Sequence, residues 1–249
     1  MTQSAPSSAH WYLGGASSSA TVTDAGLTFQ DASAGQATAM ANFNPVTLQV
    51  GQSLTLSFTY SFAQTATGDN NFLFGLYNSG GFSLAKDGLG FNNALFNNYT
   101  GYATSGVFGV DPSGPGRDHI ETRDKTGHNL LSIATYTEGM EHIQRGGATP
   151  GQMYEASMAI ARTVEGITVE SRIGASDIVQ TYTAGLFTTF DAVGIFASGN
   201  TGVFTIDDVK LDYAGLPEPS SFLAITLFGM AVFSGAIWSK LQGVKKNES

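Results

Sequence analysis

The amino-acid sequence predicts an all-β fold, an antiparallel β-sandwich, on three observations. From Thr21 onward, short runs of β-branched and aromatic residues alternate with Gly, Asn, Asp and Pro, the pattern of strands joined by turns. The segment Ser53–Phe62 alternates strictly, with Leu54, Leu56, Phe58, Tyr60 and Phe62 on one face and Ser or Thr on the other. Helical periodicity is hard to find in this region. One face of such a strand is expected in the core and the other in water.

The remaining candidate strands show the same composition and are separated by turn residues. They cover residues 22–29, 37–43, 72–77, 101–110, 129–136, 153–162, 166–173, 178–182, 192–197 and 203–213. A hairpin is predicted with its turn at Glu165-Gly166, because Gly supplies a positive φ at little cost. This many antiparallel strands predict a sandwich or barrel, and two packed sheets are the simplest closure.

Composition excludes several classes of function. The chain has 249 residues, 11 Lys and Arg against 20 Asp and Glu, and a formal net charge of -9. Since the basic residues are scattered, nucleic acid is not expected as a partner. The absence of Cys excludes disulfides, thiolate zinc sites and Cys nucleophiles. A charged fraction of 12% with 31 Gly residues is typical of exported β proteins.

The C-terminal tail has three zones in order: Pro217-Glu218-Pro219, an apolar run over residues 222–238, and a basic end. At about 1.5 Å per residue the run spans roughly 25 Å, enough to cross a bilayer as one short helix. A buried core helix is disfavoured because the run ends the chain and lacks a polar face. Lysines after the run place the C-terminus in the cytoplasm and the β domain outside. The predicted anchor comprises Phe222, Leu223, Ile225, Leu227, Phe228, Val232, Phe233, Ile237 and Trp238, and the cytoplasmic flank comprises Lys240, Lys245 and Lys246.

This order of parts resembles the PEP-CTERM sorting signal over residues 216–249. The resemblance implies that a membrane exosortase recognises Pro217, Glu218 and Pro219 and processes the chain. The product would then be released, or attached to the bacterial cell surface or extracellular matrix. Two prolines hold this motif extended and available to an enzyme cleft. One departure is a Lys245-Lys246 end in place of an arginine cluster.

The expected organisation is a flexible lead-in over residues 1–20, a β-sandwich ectodomain over 21–214 and a sorting and anchor tail over 215–249. Residues 1–10 lack the basic and apolar regions of a secretory signal. Because the tail presupposes export, we expect either that translation starts further upstream or that a signal has been removed.

No catalytic constellation is evident. The motifs H-E-x-x-H, G-x-S-x-G, G-x-x-x-x-G-K and the dinucleotide glycine fingerprint are absent. Glu138 and Glu141 are three apart, so they do not share a face of a strand as paired glycosidase carboxylates would. The sequence therefore predicts a non-enzymatic protein, with a sandwich hydrolase or lyase as the third choice.

Two polar segments are candidates for binding. His119, Glu121, Asp124 and His128, with Arg117, Arg123 and Lys125, are interpreted as a solvated loop within residues 111–127 and just beyond it. Residues 69–71, 92–93 and 97–98 offer amides and a carboxylate that are expected near Phe91, Phe96 and Tyr99, a mixture suited to glycan binding. Core packing is the favoured fate of those aromatics. A carbohydrate-binding module is nevertheless the main alternative function to a non-enzymatic surface or matrix protein.

The segment 204–213, which contains Ile206-Asp207-Asp208-Val209, resembles the closing strand of concanavalin-like jelly-roll and carbohydrate-binding domains. The resemblance implies a structural Ca²⁺ ligated by Asp208, or alternatively by Asp207, with backbone carbonyls near the first strand. Because Ca²⁺ takes about six to eight oxygen ligands, one aspartate alone does not make the site. No other cofactor is expected.

Overall fold

In the computed structural model, the described residues form two seven-stranded antiparallel sheets that pack as a jelly-roll-like β-sandwich. The structure describes residues 11–15, 20–23, 26–29, 36–63, 71–82, 84, 87, 93–107, 116–124, 136–144, 149–198 and 203–215. Sheet A contains, in spatial order, β1 (Tyr12–Gly15), β4 (Gln36–Thr47), β13 (Thr189–Ser198), β6 (Asn71–Asn78), β7 (Thr100–Val107), β8 (Gly116–Arg123) and β9 (Thr137–Gln144). Sheet B contains β12 (Ser176–Tyr182), β11 (Ile167–Ile173), β10 (Met153–Arg162), β5 (Ser53–Phe62), β14 (Phe204–Ala214), β3 (Gly26–Phe29) and β2 (Ala20–Thr23). The predicted sandwich is confirmed.

Strand β5 lies at the centre of sheet B, between β10 and β14, and its predicted alternation is confirmed. Every second residue from Leu54 to Phe62 is buried, and the residues between them are half-buried. The Phe58 ring packs edge-on against Phe74 of sheet A, with ring centroids 5.1 Å apart, and 6.0 Å from Phe72. These aromatic contacts join the two sheets across the core.

The predicted hairpin is also confirmed, since β10 pairs with β11 and the connecting turn contains Glu165 and Gly166. Three other predictions need correction or fall outside the description. Residues 12–15 form edge strand β1, because Leu13 packs on the main core and the backbone pairs with β4. Residues 116–123 form strand β8 and not a solvated loop. The candidate strand 129–136 lies outside the described residues except for Tyr136, which precedes β9.

Contacts divide the chain into residues 1–214 and residues 215–249. The sorting motif Pro217-Glu218-Pro219, the apolar anchor and the lysine flank lie outside the described residues. Within the described part of the chain, no helix has both the length and the apolar character needed to cross a membrane.

Candidate functional site

The strand pairing gathers several connections at one end of the sandwich. β6 ends at Asn78, which pairs with Thr100 at the start of β7, and β4 ends beside the start of β13. The β6–β7 connection is the longest described here, and it contains a 3-10 helix over Ala94–Asn98. Long connections on a rigid sandwich are common places for binding sites. A binding site is therefore expected at this end of the sandwich.

Five hydrogen bonds hold the turn Ser79–Phe82 in place. Asp191 at the start of β13 accepts hydrogen bonds from the Ser79 backbone N–H and hydroxyl, both at 2.7 Å. The Asn78 side chain accepts from the Gly80 N–H at 2.9 Å, and the Phe82 N–H donates to the Ser79 carbonyl at 3.2 Å. The Tyr99 hydroxyl donates to the Phe82 carbonyl at 3.0 Å. The turn is thus fixed to two strands and to the following helix segment.

Glycine is required in this turn because Gly80 and Gly81 have φ values of +65° and +84°. L-residues with a side chain rarely adopt this left-handed region. A Cβ on Gly80 would also lie 3.2 Å from the Cβ of Asn98. The turn therefore lies directly against the end of the 3-10 helix.

The turn leaves the Phe82 side chain 49% exposed although its backbone is anchored on both sides. Asn98 beside it is exposed and Asn97 is half-buried. An exposed aromatic ring offers a flat apolar face, and neighbouring amides supply both donors and acceptors. Such a pairing matches a pyranose, which has an apolar face and a rim of hydroxyls. We refer to Ser79–Phe82 with Asn98 as the Phe82 turn.

Arg123 holds the 3-10 helix segment against which the Phe82 turn lies. Its side chain is 0% exposed, its Nε donates to the Tyr99 carbonyl at 3.0 Å, and its Nη2 donates to the Phe96 carbonyl at 2.9 Å. The guanidinium carbon lies 5.4 Å from the centroid of the Tyr136 ring. Arginine's planar fork suits both contacts, hydrogen bonding in its plane and packing of its face on a ring. Arg123 thus fastens the 3-10 helix to sheet A.

The residues around Arg123 form a second buried cluster on the outer face of sheet A. It contains Met40, Leu73, Tyr77, Leu84, Phe96, Tyr99, Ala103, Tyr136, Ala192 and Phe196. The hydroxyls of Tyr77 and Tyr136 are 3.1 Å apart. Burial raises the pKa of Tyr136 to about 12, with Arg123 opposing the shift, and burial raises the pKa of Tyr77 well above its ordinary value. Both phenols are therefore neutral and structural near neutral pH.

The polar residues predicted as a loop divide between strand and exposed positions. Glu121 is buried and accepts a hydrogen bond from the Ser105 hydroxyl at 2.8 Å, and His119 is half-buried on the same strand. Asp124 is exposed and accepts from the Thr137 hydroxyl at 2.9 Å. The Arg117 side chain, Lys125 and His128 lie outside the described residues.

The glycan-binding candidates of the sequence are only partly brought together. Phe96 and Tyr99 are buried, so their rings are not available to a ligand, and the Asn93 side chain caps the 3-10 helix. Residues 69–70, Phe91 and Asn92 lie outside the described residues. Sequence reasoning missed Phe82. Its signal is the run Ser79-Gly80-Gly81-Phe82, an aromatic placed directly after a glycine turn.

Asp208 lies on sheet B, in a β-bulge of β14 between Asp207 and Lys210, and is exposed. Asp207, the alternative ligand, has its carboxylate against Gly26 of β3, close to the N-terminal strands. Among the described residues, no three His, Asp or Glu side chains are grouped so that they could hold a metal ion. A calcium role for Asp208 therefore stays a prediction.

No protein-family model matches the chain, and the search of curated proteins found no relative. Solved structures do share its fold. The potassium-bound carbohydrate recognition domain of Emp46p is 12% identical, with a TM-score of 0.54 and coverage of 83% of this chain and 89% of that one. The globular domain of T. cruzi calreticulin is 11% identical, with a TM-score of 0.53 and 95% of both chains covered. A Bacillus subtilis protein of galectin-like fold is 8% identical, with a TM-score of 0.51 and coverage of 85% of this chain and 98% of that one.

At these identities the likeness shows the fold alone. The described domain is a concanavalin-like or galectin-like β-sandwich, the architecture that it shares with the Emp46p carbohydrate recognition domain and the Bacillus subtilis protein.

Proposed function

We propose that this chain is an exported, non-enzymatic carbohydrate-binding protein that holds a sugar on the Phe82 turn. The observation that carries the proposal is the Phe82 ring, 49% exposed on a turn that hydrogen bonds fix at both ends. An aromatic residue on a turn whose backbone is already fixed loses less conformational freedom on binding than one on a mobile loop. Likeness of fold to carbohydrate recognition domains adds support.

The non-enzymatic part of the proposal is supported by where the titratable groups lie. In the described part of sheet A, Tyr77, Tyr136 and Arg123 are buried and engaged with one another. A phenol whose pKa is raised to about 12 makes a poor general base near neutral pH. These three residues stabilise the 3-10 helix and the turn. A role in stabilising a binding surface fits a binding protein.

The proposed export and sorting are supported by residues 216–249. The Pro217-Glu218-Pro219 motif, the apolar run and the lysines resemble an exosortase-processed tail, so a membrane and an exosortase-type enzyme are the proposed partners. A sugar-binding sandwich delivered in this way would act at the cell surface or in the extracellular matrix.

The test is binding of the full-length chain to a panel of mannose, glucose, galactose and N-acetylglucosamine oligomers. Phe82→Ala should weaken binding of the best oligomer by about tenfold or more, equivalent to about 1.4 kcal/mol. Phe82→Trp should retain binding, because it keeps an aromatic face. Val164→Ala is the matched control: Val164 is an 87% exposed apolar residue in the β10–β11 turn, outside the site. Equal affinities for Phe82→Ala and Val164→Ala would contradict the proposal.

A further inference from the structure

A polar groove of about 360 Å³ crosses the outer face of sheet B. Four adjacent strands, β11, β10, β5 and β14, contribute its lining. Arg172 is the cross-strand partner of Ser157, Ser157 of Ser57, and Ser57 of Lys210. This row places two cations at its ends and two serine hydroxyls between them. Its volume is at the low end of the range for small-molecule sites, about 300–1,000 Å³.

The neighbouring row carries acceptors. Glu155 pairs across the strands with Thr59, and Thr59 pairs with Asp207 next to the bulge. The Thr59 hydroxyl donates to the Asp207 carbonyl at 3.4 Å. Acidic and hydroxyl groups therefore run beside the cationic row, offset by two residues along β5 and β10 and by three along β14, where the bulge lies.

The bulge in β14 gives the groove its irregular wall. Asp208 has a φ of +53° and is the one described non-glycine residue with a positive φ. Bulges redirect side chains and are frequent beside functional sites, and a left-handed conformation is unfavourable for a residue with a Cβ. Asp208 lines the groove from this bulge and is exposed. Strained backbone of this kind is found most often at ligand-binding and active sites.

The lining residues balance in charge and in hydrogen bonding. The charged side chains that line the groove, Arg172, Lys210, Glu155 and Asp208, sum to zero, and Arg172 also lies 3.5 Å from Asp177 at the edge of the groove lining. Arg and Lys only donate, carboxylates only accept, and Ser or Thr hydroxyls do both. Every sugar hydroxyl needs one donor and one acceptor, which this mixture offers at short spacing. A polyanion would meet two carboxylates here and a chain of net charge -9.

We infer that this groove is a second carbohydrate site, specific for a neutral oligosaccharide and located on the opposite sheet from the Phe82 turn. Binding in the groove is independent of the proposed function at the Phe82 turn. Together the two sites would let one chain bridge two glycan strands, and this bridging rests on both.

The experiment isolates the groove by using full-length Phe82→Ala as the starting protein. The same neutral oligomers are used as probes, with uronate oligomers as the acidic comparison. Ser157→Phe should fill the groove and weaken the remaining binding at least tenfold. Ala159→Phe is the matched control, because Ala159 lies on the same strand and face but not in the groove lining. Thermal melting of both variants checks that they fold.

Three results would overturn the inference: no remaining binding in Phe82→Ala, equal effects of Ser157→Phe and Ala159→Phe, or preference for uronate oligomers. Failure of the Phe82 site gives a different result. In that case Phe82→Ala binds like the unaltered chain, while Ser157→Phe alone removes binding.

Asp208→Gly supplies a second, separable readout. Glycine relieves the left-handed conformation, so the melting temperature should rise, while loss of the carboxylate should weaken oligosaccharide binding several-fold. Asp208→Asn tolerates the same φ and keeps one acceptor, so its loss of binding should be smaller. A higher melting temperature with unchanged affinity would show that Asp208 serves the bulge alone and would count against the groove as a site.

Discussion

Arg123 is the residue on which the candidate site depends most. It is fully buried, and it donates hydrogen bonds to the carbonyls of Phe96 and Tyr99 in the 3-10 helix segment that packs against the Phe82 turn. A buried charge is tolerated only when its hydrogen-bonding groups are satisfied. This role could not be predicted from the sequence, because an arginine among His, Glu and Asp has the composition of a solvated loop. Its partners, Phe96, Tyr99 and Tyr136, come from other segments and are brought to it by folding.

Arg123→Lys should lower the free energy of unfolding by about 2–4 kcal/mol, because lysine cannot contact both carbonyls and cover the Tyr136 ring. It should also increase amide hydrogen exchange over residues 93–99. Arg172→Lys is the control: Arg172 is half-exposed and its contact to Asp177 is 3.5 Å, so the expected cost is below about 0.5 kcal/mol. Denaturant unfolding measures both. Similar costs would show that Arg123 is not a fastening residue.

At the level of elements, a strand is predictable from sequence when one of its faces is apolar and the other is polar. β5 has one core face and one wet face, so its alternation appears directly in the sequence. β8 buries Asp118, Ile120 and Thr122 towards the sandwich and Glu121 and Arg123 under the second cluster. Polar residues thus occupy both faces, and no period-two apolar pattern remains. Only tertiary partners make this segment a strand.

The Phe82 turn was missed for a related reason. Its anchor, Asp191, is 112 residues from Ser79 in the sequence, and no local pattern links the two. Local signals indicate a turn at Gly80-Gly81, but they do not show whether the following aromatic enters the core. By contrast, the sequence correctly favoured core packing for Phe96 and Tyr99.

Leu56→Asp and Thr55→Asp test the two faces of β5. Leu56 is 0% exposed, so a carboxylate there would be buried without a partner and should cost about 4 kcal/mol. Thr55 faces outward opposite Ala159 and Asp212. A carboxylate there meets a like charge across the strands and should cost less than about 1 kcal/mol. Equal costs in denaturant melts would contradict the one-sided burial of this strand.

For the whole molecule, the buried tyrosines predict loss of stability in alkali. Burial raises the pKa of Tyr102 and of Tyr136 to about 12, against about 10 in the unfolded chain. The folded state therefore holds these protons more tightly. Stability is complete below about pH 10 and falls as the pH rises towards 12, by up to about 1.4 kcal/mol per pH unit for each tyrosine.

Denaturant unfolding between about pH 8 and pH 11.5 measures this fall. Tyr136→Phe should reduce the slope above pH 10, since one titrating group is removed. A stability that is flat across this range, or a slope unchanged in Tyr136→Phe, would contradict the account.

We predict that the tail is removed from the exported chain. If an exosortase-type enzyme recognises Pro217-Glu218-Pro219, the mature protein lacks the residues from about Ser220 onward. Glu218→Ala should leave the unprocessed form in the membrane, because the motif loses its only charge. Glu165→Ala, an exposed acidic residue in the β10–β11 turn, should be processed normally. Mass spectrometry of exported protein decides, and an intact Lys245-Lys246 end would contradict the proposal.

The most direct test of carbohydrate binding is an NMR titration of the isotope-labelled chain with its best neutral oligosaccharide. The account predicts that the amide signals of Gly80, Gly81, Phe82 and Asn98 shift in a saturable way. Those of Val164 and Glu165, in a turn outside the site, should stay in place. Saturable binding that leaves the signals of the Phe82 turn unmoved, or the absence of binding by every neutral oligosaccharide, would contradict it.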